Sequence, residues 1–418
     1  MVGLYRSVAA HLLLACALVV ISERTSRAEG VRFDDAGQGN YHETALDATD
    51  CSLCDCCTSC QEARCCGCDD GCLLGPCDWL GRHRCQYDGK KRRKLADKHA
   101  PANLMGDHVH HQGQWMFEYK YMNMYMDGNK LGTRKLGDRE SINVGIAQFS
   151  TNRAATPTRM TMEMHMLHIM YGWNDNVTLY AMPMLSSLTM DHIRGPNNPA
   201  VVGNLAPLYS SFTTHDDGFD DLGFGALLRL HSDECRDISF NLGFSAPTGD
   251  LDQKSSEPTA GLAELELPYP MRRGSGTFNL RPGITFKRYY NHGSLGAQYQ
   301  TNLPVGTNDE GYSVGDEHRV NLWYSWLPCD RLAFSYRVEG LWREAYQGAD
   351  PDLAQPIIST ARPDMRGGEW LNFGYGTMLL LGDGYLANVE LVHPVYERLN
   401  GIQLSNNWWL AASVSKGW

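Results

Sequence analysis

Three groups of side chains in this 418-residue sequence have the types and spacing to bind or relay something. The first is Asp107, His108, His110 and His111, all within five residues. In an extended chain His108 and His110 point the same way, and His-x-His is a common metal-ligand spacing. Without a metal the same run is a polar plug or collar. The second is a thiol cluster: Cys51, Cys54, Cys56, Cys57, Cys60, Cys65, Cys66, Cys68, Cys72, Cys77 and Cys85 are eleven of the fourteen cysteines. The CxxC pairs Cys51/Cys54 and Cys57/Cys60 and the adjacent pairs Cys56/Cys57 and Cys65/Cys66 suit a soft-metal thiolate cluster. In an oxidising compartment the same thiols form disulfides, which staple a segment too poor in apolar residues to build a core. The odd count leaves at least one thiol over or bonded to another chain. The third group is thioether: Met122, Met124 and Met126 recur at every second position on a face shared with Met116, Glu118 and Lys120. Such a stripe either fills apolar space or passes Cu(I). HExxH does not occur, and the chain reads as a non-enzyme.

The element that must carry the methionines is the stretch 114–126, QWMFEYKYMNMYM. Its odd positions Trp115, Phe117, Tyr119 and Tyr121 are aromatic, and its even positions mix charge with sulfur. A period of two over a dozen residues is a β-strand, longer than the usual soluble strand and suited to a tilted membrane crossing. Composition agrees: Gly 42 and Tyr 20 suit a β-protein with many turns and aromatic girdles. The only long apolar run is 8–21, preceded by Arg6 and followed by Ser26-Arg27-Ala28, the pattern of a cleaved export signal over 1–28. A helical membrane protein is thereby excluded. A net charge of -11 argues against a nucleic-acid partner.

From 114 onward the sequence divides into twelve strand-like segments, 114–126, 158–171, 176–190, 219–231, 236–246, 276–290, 294–303, 318–327, 331–346, 369–381, 385–396 and 406–418. Long and short connections alternate strictly between them. Outer-membrane barrels have this pattern, with short periplasmic turns and long outer loops. The chain ends on an alternating strand closed by Trp418. The fold expected is all-β, a 12-stranded antiparallel transmembrane β-barrel over 104–418, preceded by a signal peptide and a Cys-rich periplasmic segment with a basic linker over 29–103. A charge on the lipid face near mid-bilayer costs about 2–4 kcal/mol. Glu118, Lys120, Glu163, His165, Arg229, Arg281, Lys287, Arg319, Arg337, Glu339 and Glu390 are therefore expected to line the lumen, as a closed ionic network or a charged constriction. If Glu163 and His165 face inward, Met160, Met162, Met164, Met166 and Met170 of the same strand face lipid.

The run Met105-Gly106-Asp107-His108-x-His110, then Gly113-x-Trp115-Met116-x-x-Tyr119-x-Tyr121-Met122-x-Met124-x-Met126-Asp127-Gly128-Asn129, resembles a family of bacterial outer-membrane transporters related to the meta-pathway phenol-degradation channels. Thr156-Pro157-Thr158-Arg159-Met160, Met164-x-Met166 and Ser187-Leu188-Thr189-Met190-Asp191-His192 fit the same pattern. The resemblance covers about 104–418 and implies a barrel with an uptake role; the cysteine segment falls outside it. The function expected is an outer-membrane channel for small solutes, aromatic compounds or soft metal ions such as copper. The alternative is a non-conducting barrel anchoring a Cys-rich periplasmic module. The partners expected are outer-membrane lipid, a small solute, and a periplasmic or cell-wall component. No cofactor motif is present; a metal on the cysteine segment or the histidine cluster is what the spacings allow.

Overall fold

A computed structural model describes residues 95–418 apart from 234, 256–264, 291 and 354–356. The signal-like run and all eleven clustered cysteines lie outside the described residues. The strands are β1 (Trp115–Gly132), β2 (Arg134–Leu136), β3 (Ala155–Asn174), β4 (Val177–Met182), β5 (Met184–Arg194), β6 (Ser211–Phe219), β7 (Leu222–Ser232), β8 (Arg236–Ala246), β9 (Lys254–Ser255), β10 (Leu265–Glu266), β11 (Phe278–Tyr290), β12 (Gly293–Val305), β13 (Tyr312–Ser313), β14 (Glu317–Cys329), β15 (Leu332–Arg343), β16 (Gln347–Gly348), β17 (Gly368–Leu380) and β18 (Tyr385–Gly417). No helix among the described residues is long and apolar enough to cross a membrane.

The strands close into an antiparallel barrel. Its ladder runs β1–β18–β17–β15–β14–β12–β11–β8–β7–β4–β3 and returns to β1. That is eleven elements, with β2, β5 and β6 outside the ring, and not the twelve separate strands expected. Two local causes explain the difference. The expected segment 176–190 is divided at Pro183, which lacks the N–H that a continuing ladder needs. Its first part, β4, pairs with β7, and its second part, β5, pairs with β6. At the other end, the two last segments form one strand, β18, of 33 residues. It pairs through Leu386–Leu399 with β17 and through Leu399–Gly417 with β1. Its two ends meet where Lys416 Nζ donates to the Tyr385 hydroxyl at 3.3 Å, so the strand doubles back near Leu399.

The two faces of the ring are inverted relative to a soluble protein. Outside are Trp115, Tyr119, Leu322, Tyr324, Tyr336, Val338, Tyr375 and Trp408, all exposed. An aromatic cluster marks the end where the strands are joined by short turns: Trp115 stacks on Phe117 and Phe117 on Trp418, with Tyr171 against Trp115. Such a belt suits a membrane–water interface. Inside are buried polar groups, among them Lys120, Asn321, Ser325, Arg337, Asn372 and Glu390.

Residues 95–113 fill this interior as a plug. The segment touches strands around the whole ring, so it lies within it. Lys287 Nζ of β11 donates to the Lys98 carbonyl at 2.8 Å. Gln298 of β12 donates to the Met105 carbonyl at 2.8 Å, and Arg229 of β7 to that of Val109 at 2.9 Å. Asn388 of β18 donates to the Ala100 carbonyl at 3.0 Å. Irregular backbone enclosed in a barrel needs such partners, because a buried unpaired carbonyl or N–H is costly. Ala100 and Leu104 pack on Trp323, whose indole lies across Gly296 of the neighbouring strand; a Cβ there would come within 2.0 Å of the ring. The plug leaves the barrel over Gly172, where a Cβ would meet the His111 carbonyl at 1.9 Å.

Glu390 ties plug and wall together. One carboxylate oxygen takes Arg337 Nε at 2.6 Å, and the other accepts both Asn103 N and Asn103 Nδ2 at 2.8 Å. Removing one partner from a buried charge pair costs about 3 kcal/mol or more. Glu390→Ala is therefore expected to lower the temperature at which the compact, fast-migrating band of unboiled protein is lost on a gel. An unchanged melting temperature would show that this contact holds nothing.

Candidate functional site

The candidate site is the lumen, in three levels from the short-turn end. Lowest is the histidine cluster of the plug. His108 Nδ1 lies 2.7 Å from Asp107 Oδ1, and Asp107 Oδ2 accepts from Ala100 N at 2.8 Å and from Lys287 Nζ at 3.3 Å. The ring of His108 sits edge-on to His99 at 4.7 Å and to His110 at 4.8 Å. His108 Nε2 and His110 Nε2 are buried with no hydrogen-bond partner among the described residues. Burial, followed by the neighbouring His108, lowers His99 to about 3 and His110 to about 2. Both rings are thus neutral at neutral pH, the state in which imidazole ligates metal. Burial works against the Asp107 carboxylate, but His108 and Lys287 hold it well below the usual range. His99, Asp107 and His108 present ligand atoms within 4.8 Å of one another. The sequence placed His111 in this group; the structure does not. His111 turns away and its Nδ1 bonds Asp175 at the barrel's edge, 2.9 Å away. His99 takes its place, brought in by the fold of the plug.

The middle level is ionic. Arg337 Nη1 bonds Glu339 at 2.8 Å, and Arg319 bonds Glu339 at 3.4 Å and Glu317 at 2.8 Å. Arg343 Nε donates to Glu317 at 2.9 Å. Toward β1, Glu118 lies 3.7 Å from Lys120 and 3.4 Å from His168. Arg281 Nε donates to Asn302 at 2.9 Å. Glu118, Lys120, Arg229, Arg281, Lys287, Arg319, Arg337, Glu339 and Glu390 all point to the inner side of the ring.

Glu163 and His165 do not, which corrects the expectation from sequence. Directly opposed residues of an antiparallel pair share a face. β3 is registered on β1 with Tyr121 opposite His165 and Asn123 opposite Glu163. Both residues therefore sit on the outer face with the tyrosines. There Tyr119 shares a 2.7 Å hydrogen bond with His165, and Tyr121 and Asn123 donate to Glu163 at 3.1 and 3.2 Å. These partners offset part of the penalty that the argument from charge assumed in full. The other parity of β3 turns inward, so Met160, Met162, Met164, Met166 and Met170 face the interior. Met122 is opposite Met164, Met124 opposite Met162, and Met126 opposite Met160.

The upper level is a cavity of 440 Å³ above the plug. Its apolar wall is Met122, Met124 and Met126 of β1, Met160 and Met162 of β3, Met190 of β5, and Trp370 and Trp409. Its charged wall is Arg319, Arg343, Glu339, Arg272 and Arg366. Loops roof it: Tyr269, Tyr312, Leu353 and Ala361 form a buried cluster, and Arg272 locks it through Asp350 and, at 3.2 Å, the Tyr312 hydroxyl. Sequence reasoning missed His99, Asn103, Glu317, Arg343, Arg366 and Met190 as site residues. Glu317 and Arg343 share the inward parity of Arg319 and Arg337, and that signal could have found them. Arg366 and Asn103 lie outside the strands, where no period points to them.

No family model matches the sequence, and no curated protein does. Solved structures resemble the fold. An outer membrane channel from Pseudomonas putida F1 aligns with TM-score 0.50 at 11% identity, over 77% of this chain and 100% of that one. The transport unit of the autotransporter AIDA-I from Escherichia coli aligns with TM-score 0.42 at 10% identity, over 78% and 95%. The Pseudomonas putida toluene transporter TodX gives TM-score 0.36 at 10% identity, over 78% and 96%. At these identities the likeness is one of fold, that of outer-membrane β-barrels.

Proposed function

We propose that the chain is an outer-membrane channel for small solutes and that aromatic compounds are the class its lumen accepts. The observation that carries this is the inverted ring: aromatic and aliphatic side chains outside, and inside a cavity walled by methionines between a plug and a roof of loops. Flexible, polarisable thioethers adapt to the faces of aromatic rings. The likeness in fold to an outer membrane channel supports the reading. The volume falls within the ~300–1,000 Å³ of small-molecule sites. A soft cation fits this cavity less well, because guanidinium groups stand beside the methionines. With the plug in place the route is narrow, so passage requires it to shift.

Planar-bilayer recordings test this. The native chain is expected to give small currents. Lys287→Met removes the cation that holds Lys98 and Asp107 and is expected to raise the conductance several-fold while the protein keeps its heat-modifiable mobility. A folded barrel that stays silent in both forms would remove the channel reading and leave the anchoring of a periplasmic module.

The unpartnered ring nitrogens of the plug support a second reading, that His99, His108 and His110, with Asp107 orienting His108, hold a divalent transition metal. Calorimetry with zinc on the folded chain is expected to show a site that His108→Ala weakens by at least ~10-fold, as loss of a ligand or its orienting partner does. Equal zinc affinity in the variant would exclude the site.

A further inference from the structure

The ion pairs around the cavity are shared unevenly. Arg272, Arg319, Arg337, Arg343 and Arg366 are five guanidinium groups, and Glu266, Asp350, Glu317, Glu339 and Glu390 are the five carboxylates among them. The ion pairs use every carboxylate: Glu317 with Arg319 and Arg343, Glu339 with Arg319 and Arg337, Glu390 with Arg337. Among the described residues, Arg366 is left over. Its side chain lines the cavity, the residue is 7% exposed, and Nε and Nη2 are buried with no hydrogen-bond partner among the described residues. Its main chain is held in place, since Asn400 Nδ2 donates to the Arg366 carbonyl at 2.9 Å. Arg272, on the same wall, has Glu266 and Asp350. Burial first, and Arg343 with it, lower Arg366 only to about 10, so it remains a cation at neutral pH. A bare buried guanidinium is costly unless a charged partner arrives.

We propose that the cavity is a binding site for an amphipathic monoanion, with Arg366 taking the carboxylate and the methionine wall taking the apolar body. The inference rests on the channel reading above and names the class of solute that the site selects. A guanidinium suits the task because its planar donors match both carboxylate oxygens. One free cation fits one negative charge. A neutral solute leaves Arg366 bare, and a cation repels it. The six methionines, Trp370 and Trp409 give the rest of the solute an apolar seat.

The test is equilibrium binding to the folded, detergent-solubilised full chain, read by quenching of tryptophan fluorescence. The probes are benzoate, its neutral analogue benzamide, and acetate, which has the charge without the ring. Benzoate is expected to bind at least ~10-fold more tightly than benzamide or acetate, roughly the contribution of one charge-assisted hydrogen-bonded pair. In Arg366→Gln the benzoate affinity should fall to that of benzamide, whose own affinity should not change. Arg366→Lys keeps the charge and should keep a preference for benzoate; it carries the test if the glutamine variant does not fold. Equal binding of benzoate and benzamide by the native chain would overturn the proposal. So would an unchanged preference in Arg366→Gln, or acetate binding as tightly as benzoate. The selective binding expected here, in a barrel that passes no current, would leave this site standing and remove only the channel; current without it would do the reverse.

Discussion

A strand that crosses a membrane cannot leave an edge unpaired, because nothing in the hydrocarbon replaces the missing hydrogen bonds. β1 leaves no edge open here. It pairs along one edge with β3 from Trp115 to Asp127, and along the other with the end of the chain from Met116 to Gly132. The last residues therefore complete a ring that the first strand opens. Everything inside depends on this closure. It forces alternate side chains of every strand inward, and it forces the polar ones to find partners there. The plug then supplies carbonyl acceptors for Lys287, Gln298, Asn388 and Arg229.

The interior is organised by charge at one level and by sulfur at the next. Arg337 lies between Glu339 and Glu390, and Glu390 also holds the plug through Asn103. Buried ion pairs of this kind contribute little net stability against an apolar packing of the same shape, but losing one partner is expensive. They fix positions. Above them β1, β3 and β5 bring methionines together that are far apart in the chain, and Arg366, just before β17, lines the same cavity. The roof holds through Arg272 and its tyrosines. The cavity thus has one adaptable wall and one fixed wall, the combination expected of a site that orients a solute by its head and tolerates variation in its body.

The period of two was legible wherever it ran long: β1, β8, β11, β14, β15 and β17 lie within a few residues of the segments read from sequence. The charges of β15 were read as inward because its opposite face is apolar; in β11 and β14 that face is mostly apolar, with Arg288 and His318 at the strand ends. β3 was ambiguous. Its two parities carry Glu163 and His165 on one side and Met160 to Met170 with His168 on the other, and the cost of a charge in lipid favoured the wrong one. Register against β1 decided the matter, since the outward tyrosines of β1 are the partners of Glu163 and His165. The count of strands failed at Pro183, and again where β18 turns back without losing its ladder.

By itself, then, the sequence determined that the chain is all-β, that its strands are long and two-faced, and which residues share a face. Those follow from the pleat, a property of neighbours two apart. Closure, register and the doubling-back of β18 were decided by tertiary structure, because pairing partners lie up to three hundred residues away. So was the content of the site. His99 replaced His111 in the plug cluster, and Arg366 came from a loop to stand unpaired beside six methionines. A missing counter-charge is a property of a surrounding in three dimensions, and no stretch of sequence carries it.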